Sequence, residues 1–194
     1  KISFSGPANR IGARQRDVNL YVSTPNNVTA PLTINIANTD SSLVGLPTSV
    51  TIPANTYFVY FTVRGKVPGL STFIASAPGY SPDTATYRVT SPRLQLSGGT
   101  TLNQFGTPSA LTVYTTDSVG AIHERSDSLV VTYVSRNGAV VTVTPADTVD
   151  PGLYYANSAR ATPVGPDTAW IVASAPGHAP DSTRYIVVTP KLNF

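Results

Sequence analysis

The chain has no cysteine, no methionine, a single tryptophan and only 12% charged residues in a length of 194. The missing cysteine removes disulfides, thiolate metal sites and cysteine nucleophiles together. Strong helix formers are scarce as well. Glu124 is the one glutamate, and lysine and glutamine occur three times each (Lys1, Lys66, Lys191; Gln15, Gln95, Gln104). Such a composition argues against helical bundles, coiled coils and α/β enzymes with a parallel sheet. With two histidines, His123 and His178, general acid–base chemistry has little to draw on. No run approaches the roughly 18 consecutive apolar residues of a spanning helix. The chain opens at Lys1 with no basic-then-apolar leader, which reads as the product of processing.

What the chain does have is threonine (26 residues), valine and tyrosine, punctuated by 17 prolines and 14 glycines. These residues suit pleated, half-buried strands joined by turns. A hydrophobic fraction of 41% is enough to fill a core.

An internal repeat sets the organisation. Ala75-Ser76-Ala77-Pro78-Gly79-Tyr80-Ser81-Pro82-Asp83 returns 98 positions later as Ala173-Ser174-Ala175-Pro176-Gly177-His178-Ala179-Pro180-Asp181. Lys1-Ile2-Ser3-Phe4-Ser5-Gly6 returns 92 positions later as Arg93-Leu94-Gln95-Leu96-Ser97-Gly98. Looser matches pair Thr51-Ile52-Pro53-Ala54 with Val143-Thr144-Pro145-Ala146, and Leu32-Thr33-Ile34 with Leu129-Val130-Val131. The chain therefore reads as two copies of one domain, 1–91 and 92–194, each large enough to bury a core. The opening pattern occurs a third time at Lys191-Leu192-Asn193-Phe194. It is either the start of a further copy or a final strand capping the second.

Alternating segments at sandwich spacing predict strands near 2–5, 18–24, 32–37, 48–52, 56–64, 70–77 and 84–90. In the second copy they fall near 94–97, 110–116, 128–135, 139–144, 153–160, 168–175 and 182–189. Pro78-Gly79 and Pro176-Gly177 have the residue order of a type II turn. Seven short strands per copy point to an all-β chain of two tandem immunoglobulin-like β-sandwich domains. Val67-Pro68-Gly69, the strand Phe73-Ile74-Ala75-Ser76-Ala77, the turn Pro78-Gly79-Tyr80 and a threonine-rich closing strand resemble bacterial immunoglobulin-like repeats of invasin- and intimin-type envelope proteins. The resemblance spans both copies. It implies the sandwich fold and extracytoplasmic residence, in the periplasm or at the cell surface, and no catalytic role.

Residues suited to catalysis or metal binding are few. His123-Glu124 lies in a polar segment, Asp117 to Asp127, with Asp127 where a zinc-protease helix needs its second histidine. The segment reads as a solvated loop, and His178, in the place of Tyr80, as a turn side chain. Asp147, Asp150 and Asp167 offer oxygen ligands of the kind calcium takes, yet beside Pro151-Gly152 they read as turn formers. Asp83 and Asp181 follow prolines at equivalent places, which indicates a turn role. No cofactor is expected, and the chain reads as no enzyme.

Partner surfaces are the better prospect. Residues 1–91 hold seven bases against three acids, whereas 92–194 hold six against seven. Arg10, Arg14 and Arg16 cluster in the first copy, either to meet an anionic lipid, glycan or protein surface or to keep an edge strand from aggregating. In Tyr57-Phe58-Val59-Tyr60-Phe61, alternation puts Tyr57, Val59 and Phe61 on one face and Phe58 and Tyr60 on the other. Only one face can meet the core, so Phe58 and Tyr60 are candidate contacts for other proteins of an envelope or membrane complex. Bases and aromatics are not interleaved as nucleic acid would require. An adhesin or carbohydrate-binding module, with Tyr80, Tyr154 and Tyr155 stacking on sugars, is the second functional reading.

The Ser91-Pro92 junction has no flexible spacer, which predicts an elongated pair with little hinge motion. Small-angle X-ray scattering should give an extended profile, and a compact globule would contradict it.

Overall fold

The computed structural model describes residues 1–6 and 9–191. The third occurrence of the opening pattern, 191–194, lies outside the described residues except for Lys191. The chain divides into two compact units, Lys1–Thr90 and Ser91–Phe194. Among the described residues every regular element is a strand.

In the first unit the strands are β1 (Ser3–Ser5), β2 (Arg10–Gly12), β3 (Gln15–Ser23), β4 (Leu32–Asn38), β5 (Val44–Gly45), β6 (Ser49–Ile52), β7 (Phe58–Gly65), β8 (Gly69–Ser76) and β9 (Asp83–Thr90). One sheet runs β1-β3-β7-β5 and the other β2-β9-β8-β4-β6. Pairing is antiparallel apart from β2, which runs parallel to β9. The alternation of Leu32-Thr33-Ile34-Asn35-Ile36 sends Ile34 and Ile36 inward and leaves Thr33 and Asn35 in water. Ile2, Ile11, Val22, Ile52, Val63 and Phe73 are among the residues that join them in the core, where Phe73 stacks on Tyr87 at 5.3 Å.

The second unit repeats the plan with β10 (Arg93–Ser97), β11 (Thr101–Asn103), β12 (Ser109–Ala110), β13 (Thr112–Thr116), β14 (Glu124–Arg125), β15 (Leu129–Ser135), β16 (Val141–Val143), β17 (Ala146–Val149), β18 (Tyr155–Ala156), β19 (Arg160–Pro163), β20 (Asp167–Ser174) and β21 (Asp181–Val188). The sheet β11-β21-β20-β15-β17 reproduces β2-β9-β8-β4-β6, including the parallel edge strand. The opposite layer is split into β10-β13-β18 and β12-β19-β16. Between β18 and β19 the Ser158 and Ala159 amides donate to the Asp147 carboxylate (2.7 and 3.1 Å) and so bond outside the ladder.

Two unequal offsets in the repeat have one explanation. Thr24 N–H donates to the Tyr57 carbonyl and Thr115 N–H to that of Tyr154, so Thr24 matches Thr115 and Tyr57 matches Tyr154. The offset grows from 91 to 97 between Thr115 and Leu129, which places a six-residue insertion in that connection. The same register corrects one sequence match. Leu32 pairs Ile52 as Leu129 pairs Val149, so Thr51-Ile52 corresponds to Thr148-Val149 and not to Val143-Thr144. The short strands β2, β5, β11, β14 and β17 are absent from the sequence-based assignment. β2 and β11 each carry one apolar residue, too few for periodicity to register.

Both proline–glycine turns form as expected. Gly79 and Gly177 have φ of +81° and +72°, and the amides of Tyr80 and His178 close onto Ala77 and Ala175.

Tyr87 and Tyr185 are equivalent, buried, and differently satisfied. The Tyr87 hydroxyl donates to buried Asp17 at 3.1 Å, whereas that of Tyr185 has no partner among the described residues. Tyr87→Phe should therefore cost about 1–3 kcal/mol in urea unfolding, and Tyr185→Phe about zero. Equal losses from the two substitutions would contradict this accounting.

Candidate interaction surfaces

The outer face of β3 and β7 carries the first surface. Cross-strand register places Tyr21 opposite Tyr60 and Ser23 opposite Phe58. Phe61 is buried and Val59 packs against the core, so Phe58 and Tyr60 point outward, as alternation requires. Tyr60 is 55% exposed and Tyr57 49%. Ring centroids are 5.4 Å apart for Tyr21–Tyr60, 5.7 Å for Tyr21–Phe58, 5.4 Å for Phe58–Tyr60 and 5.0 Å for Tyr57–Phe58, all edge-to-face. Tyr57 departs from the inward position expected of it. It precedes β7, where the pleat does not hold it, and its ring joins the outer cluster. Ser5, Asn19, Tyr21 and Tyr60 line a shallow groove beside the rings.

The second unit builds a smaller cluster on the matching strand pair, with two of its three rings at equivalent positions and Tyr114 in the place of Ser23. Tyr154 and Tyr155 match Tyr57 and Phe58, and Tyr155 lies across from Tyr114. Tyr114 is 6.4 Å from Tyr154 and 6.2 Å from Tyr155. The 97-residue offset of the repeat carries Tyr57-Phe58 onto Tyr154-Tyr155, so the sequence holds the signal that joins the two clusters. Tyr80 is not part of either surface and packs against the first core.

The three clustered arginines separate. Arg10 lies in edge strand β2 opposite Arg88, and Arg16 lies in β3 opposite Arg64, on the other sheet. Arg14 sits between them in the left-handed region (φ +61°), its amide donating to the Gly65 carbonyl at 2.8 Å. Arg10 and Arg16 thus each pair in register with another arginine, Arg88 and Arg64, on separate sheets.

The polar segment after β13 is exposed over 118–122, as a solvated loop would be, but its anchoring side chains are buried. Asp117 is 1% exposed, and its carboxylate accepts from the Val119 and Ala121 amides at 2.9 and 3.0 Å. Thr115 Oγ1 donates to the His123 carbonyl, and Arg125 is buried with its guanidinium 2.5 Å from Asp127. These bonds use side chains that composition alone assigns to water. His178 does sit in its turn, with Nδ1 2.9 Å from the Pro176 carbonyl and Nε2 3.2 Å from Arg125. That pairing fits a neutral ring protonated on Nδ1. Asp147 and Asp167 lie in strands β17 and β20 and not in turns, each accepting the next residue's amide (2.8 and 2.6 Å), whereas Asp150 opens the Pro151-Gly152 turn, its carbonyl accepting from the Leu153 amide. Among the described residues no three His, Asp or Glu side chains group as a metal site.

Asp83 and Asp181 reach beyond their turns. Asp83 accepts the Phe4 amide (3.0 Å) and Asp181 the Leu96 amide (2.8 Å), so each ties the opening strand of its unit to the closing one. Lys1 Nζ adds an ion pair to Asp83 at 2.8 Å.

No protein-family model matches the chain, and no curated protein matches its sequence. Among solved structures it is similar to domains 4 and 5 of the S-layer protein SbsC, with 16% identity over 80% of this chain and 77% of that one (TM-score 0.44). It is also similar to the Yersinia pseudotuberculosis adhesin InvE, with 15% identity over 96% and 58% of the two chains (TM-score 0.42). The D00-D0 domain of intimin matches with 13% identity over 97% and 100% (TM-score 0.41). Intimin- and invasin-type proteins are thus among its structural neighbours, as the sequence resemblance implies.

The Lys1 ammonium and the Phe4 amide hold the Asp83 carboxyl below its ordinary range. A depressed folded value contributes stability above about pH 4 that is lost as pH falls. Acid unfolding of Asp83→Asn, followed from pH 5 to pH 2, should show a shallower loss than the parent. Superimposable profiles would rule out the contribution.

Proposed function

We propose that the chain is a non-enzymatic, extracytoplasmic interaction protein. Two tandem immunoglobulin-like domains, residues 1–91 and 92–194, brace a larger envelope assembly as an accessory subunit of a membrane complex or a segment of a surface fibre. The observation that carries this reading is the aromatic cluster built twice, on the same strand pair of both units. Cross-strand aromatic pairs stabilise a sheet by about 0.2–1 kcal/mol each, but rings left half in water retain apolar area for a partner. Tyrosine is enriched at interfaces because it supplies large contact area and a polar edge at small entropic loss. The basic residues of the first unit, Arg10, Arg14 and Arg16 among them, would add attraction to an acidic protein, lipid or glycan surface.

The test is purification of the native protein in mild detergent with identification of what travels with it. The Phe58→Ser/Tyr60→Ser variant, shown folded by circular dichroism, should lose its partner by tenfold or more. Unchanged association, or recovery of the parent only as a free monomer, would reject the reading. A glycan array separates it from the carbohydrate-binding alternative.

A further inference from the structure

The face around the single tryptophan belongs to neither aromatic cluster. Trp170 lies in β20 on the outer side of β11-β21-β20-β15-β17 and is 45% exposed. Its cross-strand partner is Arg184, and the Arg136 amide donates to the Trp170 carbonyl at 2.8 Å, so an arginine stands on either side. Val134, 60% exposed, pairs with Val172, and Ile186 pairs with Thr168 on the same face. Arg136 and Arg184 are exposed and have no side-chain ion pair among the described residues.

The first unit shows what the framework alone demands at these places. Thr72 pairs with Thr86 as Trp170 pairs with Arg184, and the Thr39 amide meets the Thr72 carbonyl as that of Arg136 meets Trp170. Ala37 and Ile74 stand where Val134 and Val172 do. The same sheet is thus built with three threonines in place of a tryptophan and two arginines. Nothing in the strand pairing requires the larger, charged set.

We infer that this face docks a segment of a partner protein in which carboxylates flank an apolar anchor. Tryptophan and arginine are the residues that most often carry interface binding energy. Aliphatic neighbours supply the dry surround, and the two guanidiniums call for carboxylates, which they bind in bidentate geometry. A second copy of this chain fits poorly. A two-fold contact through the patch would set Arg136 and Arg184 against the same residues of the other molecule.

The probe is a random dodecapeptide library displayed on phage, selected on the immobilised full chain. The control is Arg136→Thr/Trp170→Thr/Arg184→Thr, which gives the second unit the residues of the first. Selected peptides should be rich in Asp and Glu around an aromatic or aliphatic residue and should not be retained by the control. A selected tryptophan-free peptide should shift Trp170 emission, with affinity falling at least tenfold in Arg136→Thr/Arg184→Thr and declining with salt. Equal enrichment on parent and control, no acidic excess, or unchanged affinity without the arginines would overturn the proposal. So would an equal emission shift from poly-L-glutamate, which lacks the apolar anchor. Circular dichroism verifies folding, and Arg184→Thr alone serves the same comparison if the multiple variants do not fold.

Discussion

Each strand of a sandwich has one face committed to the core, and most of this molecule follows from that constraint. Side chains alternate with a period of two, so the inward set is fixed by volume and the outward set is released for other uses. The two units show the constraint being met twice with different residues. Where the first places Ile36 on β4 and Phe73 on β8, the second places Tyr133 and Ile171. The aromatic ring has moved to the neighbouring strand while the combined volume is roughly kept, the kind of exchange that cores tolerate. Tyr133 carries a consequence of the move. Its hydroxyl is buried without a partner among the described residues, and that burial drives its titration upward.

The ties that close each unit are polar and are repeated more faithfully than the core. A carboxylate after the proline–glycine turn accepts an amide of the opening strand in both copies, Asp83 to Phe4 and Asp181 to Leu96. Ile2 and Leu94 donate to Ser81 and Ala179 alongside them. These bonds pin the first strand against the last hairpin, and they explain why the strongest sequence matches lie at the two ends of each copy.

The architecture was largely legible because alternation and turn chemistry are local. Leu32 to Ile36 announced a strand, and Pro78-Gly79 its turn, with no knowledge of what lay across from them. The edge strands β2 and β11 were not legible, since three residues paired to a distant closing strand leave no periodic trace. The buried anchor of the polar segment, Asp117, was hidden for a related reason. Its burial depends on amides supplied by the turn itself, and no composition encodes these. Of the candidate surface, Phe58 and Tyr60 were read from alternation alone. Tyr21, Tyr114 and Trp170 required cross-strand register. The arginine triplet shows the converse, since Arg10 and Arg16 lie on different sheets although they are close in sequence.

Comparing the copies separates what the fold needs from what it leaves free. Equilibrium urea unfolding of the Arg136→Thr/Trp170→Thr/Arg184→Thr chain, followed by circular dichroism, tests that separation most directly. If the outer face is independent of the framework, the unfolding free energy should stay within about 1 kcal/mol of the parent. A loss above about 3 kcal/mol would show that these side chains hold the sheet together, and would contradict the account.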